Sequence, residues 1–125
     1  MLLWFGDERQ EYLQANFQLE AMRFDLAKVK VDLERLYIKK KLAEAQVQLI
    51  YNNIEFLKNY AKIVSIREYQ ILKYQLAGEI DMILITSKSI PPVEKLVKVT
   101  ENKIRQLLIS PAMLKFKVLE FKKRD

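Results

Sequence analysis

The chain has 125 residues and a net charge of +6, with half of its residues hydrophobic and 30% charged. That is enough for one domain with a modest core, and too mixed for a disordered or membrane-embedded chain. It has no cysteine and no histidine, which rules out disulfides, thiolate zinc sites, cysteine nucleophiles and histidine-based triads or general bases. Two glycines and three prolines are too few turn formers for an all-β fold, so an all-α chain is expected.

The N-terminal run Met1-Leu2-Leu3-Trp4-Phe5 is apolar and ends at Gly6-Asp7. It is shorter than a signal-peptide core and lacks a basic flank, so secretion by that route is not expected. Asp7 suits an N-cap, with Gln10 three residues on, and Asp7, Glu8 and Glu11 suit the positive end of a helix. The expected helix therefore starts near Glu8 and leaves residues 1–6 as an apolar tail. Leu3, Trp4 and Phe5 either fold back on the chain or anchor in a partner's groove, where such aromatic side chains carry much of the binding energy.

From Tyr12 to Val64, alternating steps of three and four meet Tyr12, Ala15, Leu19, Met22, Leu26, Val29, Leu33, Leu36, Lys40, Ala43, Val47, Ile50, Ile54, Leu57, Ala61 and Val64. Lys40 is the one charged residue among them. This is a heptad-patterned seam, expected to form one helix over about residues 8–64, roughly 80 Å long at 1.5 Å per residue. A second apolar row runs Leu13, Phe17, Phe24, Val31, Ile38, Leu42, Ala45, Leu49, Phe56 and Ile63. Its first half lies nearly opposite the seam, and its second half drifts toward it. A helix apolar on two sides is expected between neighbours: its own chain on one side and another subunit on the other. Leu19, Leu26, Leu33 and Leu36 of the seam are the expected contacts with a partner. Ala27–Leu33 alternates like a strand, but the spacing continues through it. Asn52, with Glu55 three residues later, is the alternative break, which would give a shorter bundle. Lys40 either fixes register or snorkels at the helix edge.

Ser65 and Glu68 form a second capping-box pattern, so a second helix is expected over about 66–86. Its inward positions are Ile66, Tyr69, Leu72, Leu76, Ile80, Ile83 and Leu84. Gly78 inside it marks either a close approach or a kink. Thr86-Ser-Lys-Ser-Ile-Pro-Pro92 reads as a loop, with Pro91 or Pro92 opening a third helix to about Ile109. Val93, Leu96, Val97, Val99 or Thr100, Ile104, Leu107 and Leu108 face inward on it. Ser110-Pro111 opens a fourth short element within a basic C-terminal segment, 111–125, whose stretch 114–122 fits a helix or a strand. The expected architecture is a single domain over 1–125: one long helix with two to three shorter helices packed antiparallel on it, as a helical bundle or coiled coil.

The charge is uneven. Residues 1–36 carry five basic and seven acidic side chains, and residues 37–125 carry seventeen and nine. Lys95, Lys98, Lys115, Lys117, Lys122, Lys123 and Arg124 are candidate phosphate contacts for salt-dependent, non-specific nucleic-acid binding. They are mixed with Glu94, Glu101 and Glu120, and no helix-turn-helix spacing accompanies them. No catalytic, cofactor-binding or metal-ligating group is assigned: the acidic pairs lack ligand spacing and there is no phosphate-cradling glycine loop. The first expectation is a non-enzymatic helical structural or assembly protein, self-associating or held in a larger complex. It would sit in the cytoplasm or within a viral particle, without a transmembrane segment. The alternatives are a nucleic-acid-binding accessory protein using the 88–124 face, and a small helical inhibitor or immunity-type protein docking as a monomer. A membrane-surface helix is disfavoured by the lack of a cationic polar face on Tyr12–Val64.

Overall fold

The computed structural model describes the backbone of residues 2–60 and 65–115, and the side chains of 9–59 and 65–115. Two long helices, α1 (Leu2–Tyr60) and α2 (Ile66–Leu108), pack against each other, and residues 111–115 form one further helical turn. Among the described residues there is no strand.

α1 starts earlier than expected. Leu2–Phe5 continues the helix instead of forming a separate tail. Gly6 costs a helix only about 1 kcal/mol against alanine, and leucine, tryptophan and phenylalanine do nothing to stop one. The cap chemistry of Asp7 is therefore overridden by propagation. The Asn52 break is not made. α1 runs through it, and Gln48 donates its side-chain amide to Asn52 Oδ1 at 3.1 Å, one turn along the same helix. The strand-like stretch Ala27–Leu33 is helical. Lys58 lies in the last turn, where a cation is favoured. The expected end near residue 64, with Ala61 and Val64, lies outside the described residues.

α2 opens where its capping box places it. Ser65 Oγ accepts from the Glu68 amide at 3.1 Å, and the Ser65 carbonyl accepts from Tyr69 at 3.2 Å. Ser65→Ala should cost about 1 kcal/mol, the usual loss of a serine cap. A lower urea midpoint with an unchanged slope is the expected reading.

The expected loop at 86–92 is absent. α2 is one helix through Pro91 and Pro92, so the separate second and third helices are a single element. Hydroxyls turn inward along this stretch. Thr86 Oγ1 donates to the carbonyls of Met82 (2.8 Å) and Ile83 (3.1 Å), and Ser89 Oγ donates to that of Ile85 (2.8 Å). These bonds satisfy the side chains within the helix, a pattern that commonly bends one. They let Thr86, 2% exposed, occupy a buried position. The inward set on α2 changes with the continuity. Leu72, Leu76, Glu79, Ile83, Thr86, Ile90, Val93, Val97, Thr100, Ile104 and Leu107 are less exposed, again in steps of three and four, with Ser87, Ser89, Glu94, Glu101 and Leu108 half-buried beside them. Ile66, Tyr69, Ile80, Leu84 and Leu96, expected inside, are exposed, and of the alternatives Val99 and Thr100 it is Thr100 that is half-buried. Glu79 and Thr86, neither of them among the expected inward positions, carry the phase.

The chain divides into two compact units, each holding part of both helices. Unit 1 comprises Met1–Val31 and Lys95–Asp125. Its core is Ala15, Leu19, Ile104 and Met113, with Tyr12, Met22, Leu26, Leu107, Leu108 and Ala112 packed around it. The short element after Ser110-Pro111 forms as expected over 111–115. Leu114 donates to the Ser110 carbonyl at 3.0 Å, and Met113 is thereby brought into the core. Unit 2 is Asp32–Glu94, an antiparallel pair in which Ala43, Ile50, Thr86 and Ile90 are the buried residues among those described.

Candidate interaction surface

α1 presents two unlike faces. The described seam residues from Tyr12 to Leu57 are each buried or half-buried, Lys40 included. In unit 1 they meet the chain's own α2 at Ile104 and Leu107. Leu19 and Leu26, expected to contact a partner, belong to this intrachain core, and Leu33 and Leu36 are half-buried within unit 2. Leu3, Trp4 and Phe5 are helical in backbone, and their side chains lie outside the described residues.

The second row stays open to solvent. In unit 1, Leu13, Phe17, Phe24 and Val31 are exposed, Phe17 to 75%. The Lys28 ammonium lies 5.8 Å from the Phe24 ring centroid, so charge is interleaved with this part of the row. In unit 2, Ile38, Leu42, Leu49 and Phe56 are exposed on α1, as are Ile71, Tyr74, Met82, Leu84 and Ile85 on α2. An open groove of about 370 Å³ lies between the two helices there, lined by Asn53, Phe56, Leu57, Glu68, Ile71, Leu72 and Gln75.

The polar contacts are surface ones. Lys30 and Arg105 each approach Glu101 at 3.9 Å, and Arg23 pairs with Glu20 at 3.2 Å; exposed pairs of this kind contribute at most about 1 kcal/mol. Lys95 and Lys98 are exposed on α2, as is Lys115 in the turn beyond it. Lys117, Lys122, Lys123 and Arg124 lie outside the described residues. The Tyr37 hydroxyl donates to Glu94. That bond, with smaller contributions from desolvation and from the carboxylate's charge, holds the phenol above its ordinary value. Between the ordinary and the raised value the folded chain keeps a proton that the unfolded chain has released, so this contact loses stability as pH rises through that alkaline range. Among the described residues, no group of three or more acidic side chains is placed to hold a metal ion. No described helix is long and apolar enough to cross a membrane.

The chain matches no protein-family model, and comparison with curated proteins and with solved structures finds no match.

Proposed function

We propose that the protein is a non-enzymatic helical assembly component that self-associates, or joins a larger complex, through apolar surface of its helices. The observation that carries this reading is the exposed row on α1. The seam consumes one face of the helix within the chain, and the other still bears phenylalanine, leucine and isoleucine at regular helical spacing. Isolated surface apolar residues need no explanation, but a periodic row of large ones marks an interaction face. The three-four spacing of less exposed residues on both helices supports reading the pair as an antiparallel coiled coil. Light scattering after size exclusion, over a range of protein concentrations, tests the proposal. A mass above that of one chain, rising with concentration, is expected. A monomer throughout overturns self-association.

One observation favours a second reading. Unit 1 carries thirteen basic and eight acidic residues and unit 2 nine and eight, so nearly all the net charge belongs to unit 1. Exposed Lys95 and Lys98 would then contact phosphates. Such binding falls steeply with added salt, and its absence at low salt eliminates this reading.

A further inference from the structure

We infer that one flank of unit 2 docks a second copy of the same chain, the two helix pairs closing into a four-helix bundle. The inference rests on the self-assembly reading and names its partner and its face.

The flank is built from two rows. On α1, Ile38, Leu42, Ala45, Leu49, Asn52 and Phe56 follow one another at steps of four and three, and all are exposed. On α2, Ile71, Gln75, Gly78, Met82 and Ile85 do the same. Phe56 lines one groove together with Ile71 and Gln75, so the two rows share a flank. Helical periodicity keeps them together, since Leu42, Leu49 and Phe56 are seven apart, as are Ile71, Gly78 and Ile85. Each helix of unit 2 thus carries a second seam beside the one used within the chain. That is the pattern of a helix with neighbours on two sides.

Gly78 adds an independent point. It lies in mid-helix with a negative φ, and an added Cβ there would meet nothing within 4 Å. Within one chain the glycine weakens the helix and relieves no contact. In the second seam it is where another helix can approach closely.

Charge and area select the second copy as occupant. Unit 2 has nine basic and eight acidic residues, no residue of either row is charged, and the charges beside the rows are of both signs, among them Lys41, Glu44, Glu55 and Asp81. Such a surface meets its own copy without repulsion, and depletion of charge is the mark of a homodimer interface core. Leu42, Leu49, Phe56, Ile71, Met82 and Ile85 are 42–60% exposed. At roughly 100 Å² each they offer about 600 Å² per copy, or about 1,200 Å² for the pair, the lower bound of a specific interface. A two-fold arrangement of like faces is the commonest way such a surface is covered. The unit 1 row, with Lys28 over Phe24, belongs to the unit that carries nearly all the net charge.

The test compares masses by light scattering for the full chain, Leu42→Glu/Leu49→Glu, Gly78→Gln, and the control Phe17→Glu/Phe24→Glu, with far-ultraviolet circular dichroism confirming equal helix content. The expected result is a dimeric wild type, a monomeric Leu42→Glu/Leu49→Glu variant, and an unchanged control. Gly78→Gln favours the helix itself, so its fold is safe; it should weaken dimerisation at least tenfold. A dimeric wild type left intact by both flank variants overturns the docking face while self-assembly stands. A wild type that is monomeric at every concentration overturns both.

Discussion

Leu19→Ala should lower the unfolding free energy by about 2–5 kcal/mol, the range for leucine truncations in a packed core. Leu19 is 2% exposed and sits among Ala15, Ile104 and Met113, so the lost methyl groups leave a cavity lined by both helices and by the turn at 111–115. The decisive comparison is Phe17→Ala, two residues away. It removes a larger side chain, but Phe17 is 75% exposed, and the expected change is within about 0.5 kcal/mol. Urea unfolding of both variants measures the difference directly. A larger loss at Phe17 than at Leu19 would mean that α1 presents its other face to α2. Ile104→Ala shares the cavity with Leu19→Ala, so the double variant should depart from additivity by on the order of 0.5–3 kcal/mol.

What could be read from the sequence, and what could not, follows from the range of the interactions involved. The α1 seam was legible because no proline or glycine interrupts it between Asp7 and Tyr60, and each step of three or four meets a residue that is buried or half-buried. The start of α2 was legible because a cap is local chemistry: Ser65 Oγ on the Glu68 amide involves one turn of chain. The same kind of local reasoning failed at Asp7, where four further apolar residues extend the helix to Leu2. On α2 the phase passes through Glu79, Thr86 and Thr100. Thr86 and Thr100 direct their hydroxyls back to carbonyls of their own helix, so burial costs them less than their side-chain type suggests. A search for apolar steps passes over Glu79 and Thr86, reaches Thr100 only as the alternative to Val99, and lands on Ile80, Leu84 and Leu96, which are exposed. For the interaction surface, both apolar rows of α1 were visible in the sequence. Which of them faces the chain itself depends on where α2 lies. That is a matter of packing, and it moves the candidate partner contacts from Leu19, Leu26, Leu33 and Leu36 to the outer row.

Replacing Pro91 and Pro92 together by alanine should raise stability by about 4 kcal/mol. Inside a helix each proline costs about 3 kcal/mol against alanine, because it lacks the amide that the carbonyl four residues earlier would accept and its ring crowds that carbonyl. Here the carbonyls are those of Ser87 and Lys88. The Thr86 and Ser89 hydroxyls do not serve them, since they bond to Met82, Ile83 and Ile85. Both prolines are exposed, so the shorter alanine side chains leave no cavity. Against this gain stands the freer unfolded chain, worth about 0.4–1 kcal/mol per proline removed. The net is about 2 kcal/mol for each, and the two should sum, because each restores a different hydrogen bond. The readout is a higher urea midpoint with more helical ellipticity near saturation of the folded baseline. The sign of the change is the test of continuity in α2. If 86–92 were the loop that Pro-Pro suggests, the prolines would suit their backbone, and replacing them would leave stability unchanged or reduce it. A stabilised double variant therefore requires that the helix pass through both prolines, held there by Thr86, Ile90 and Val93 on its inner face against α1.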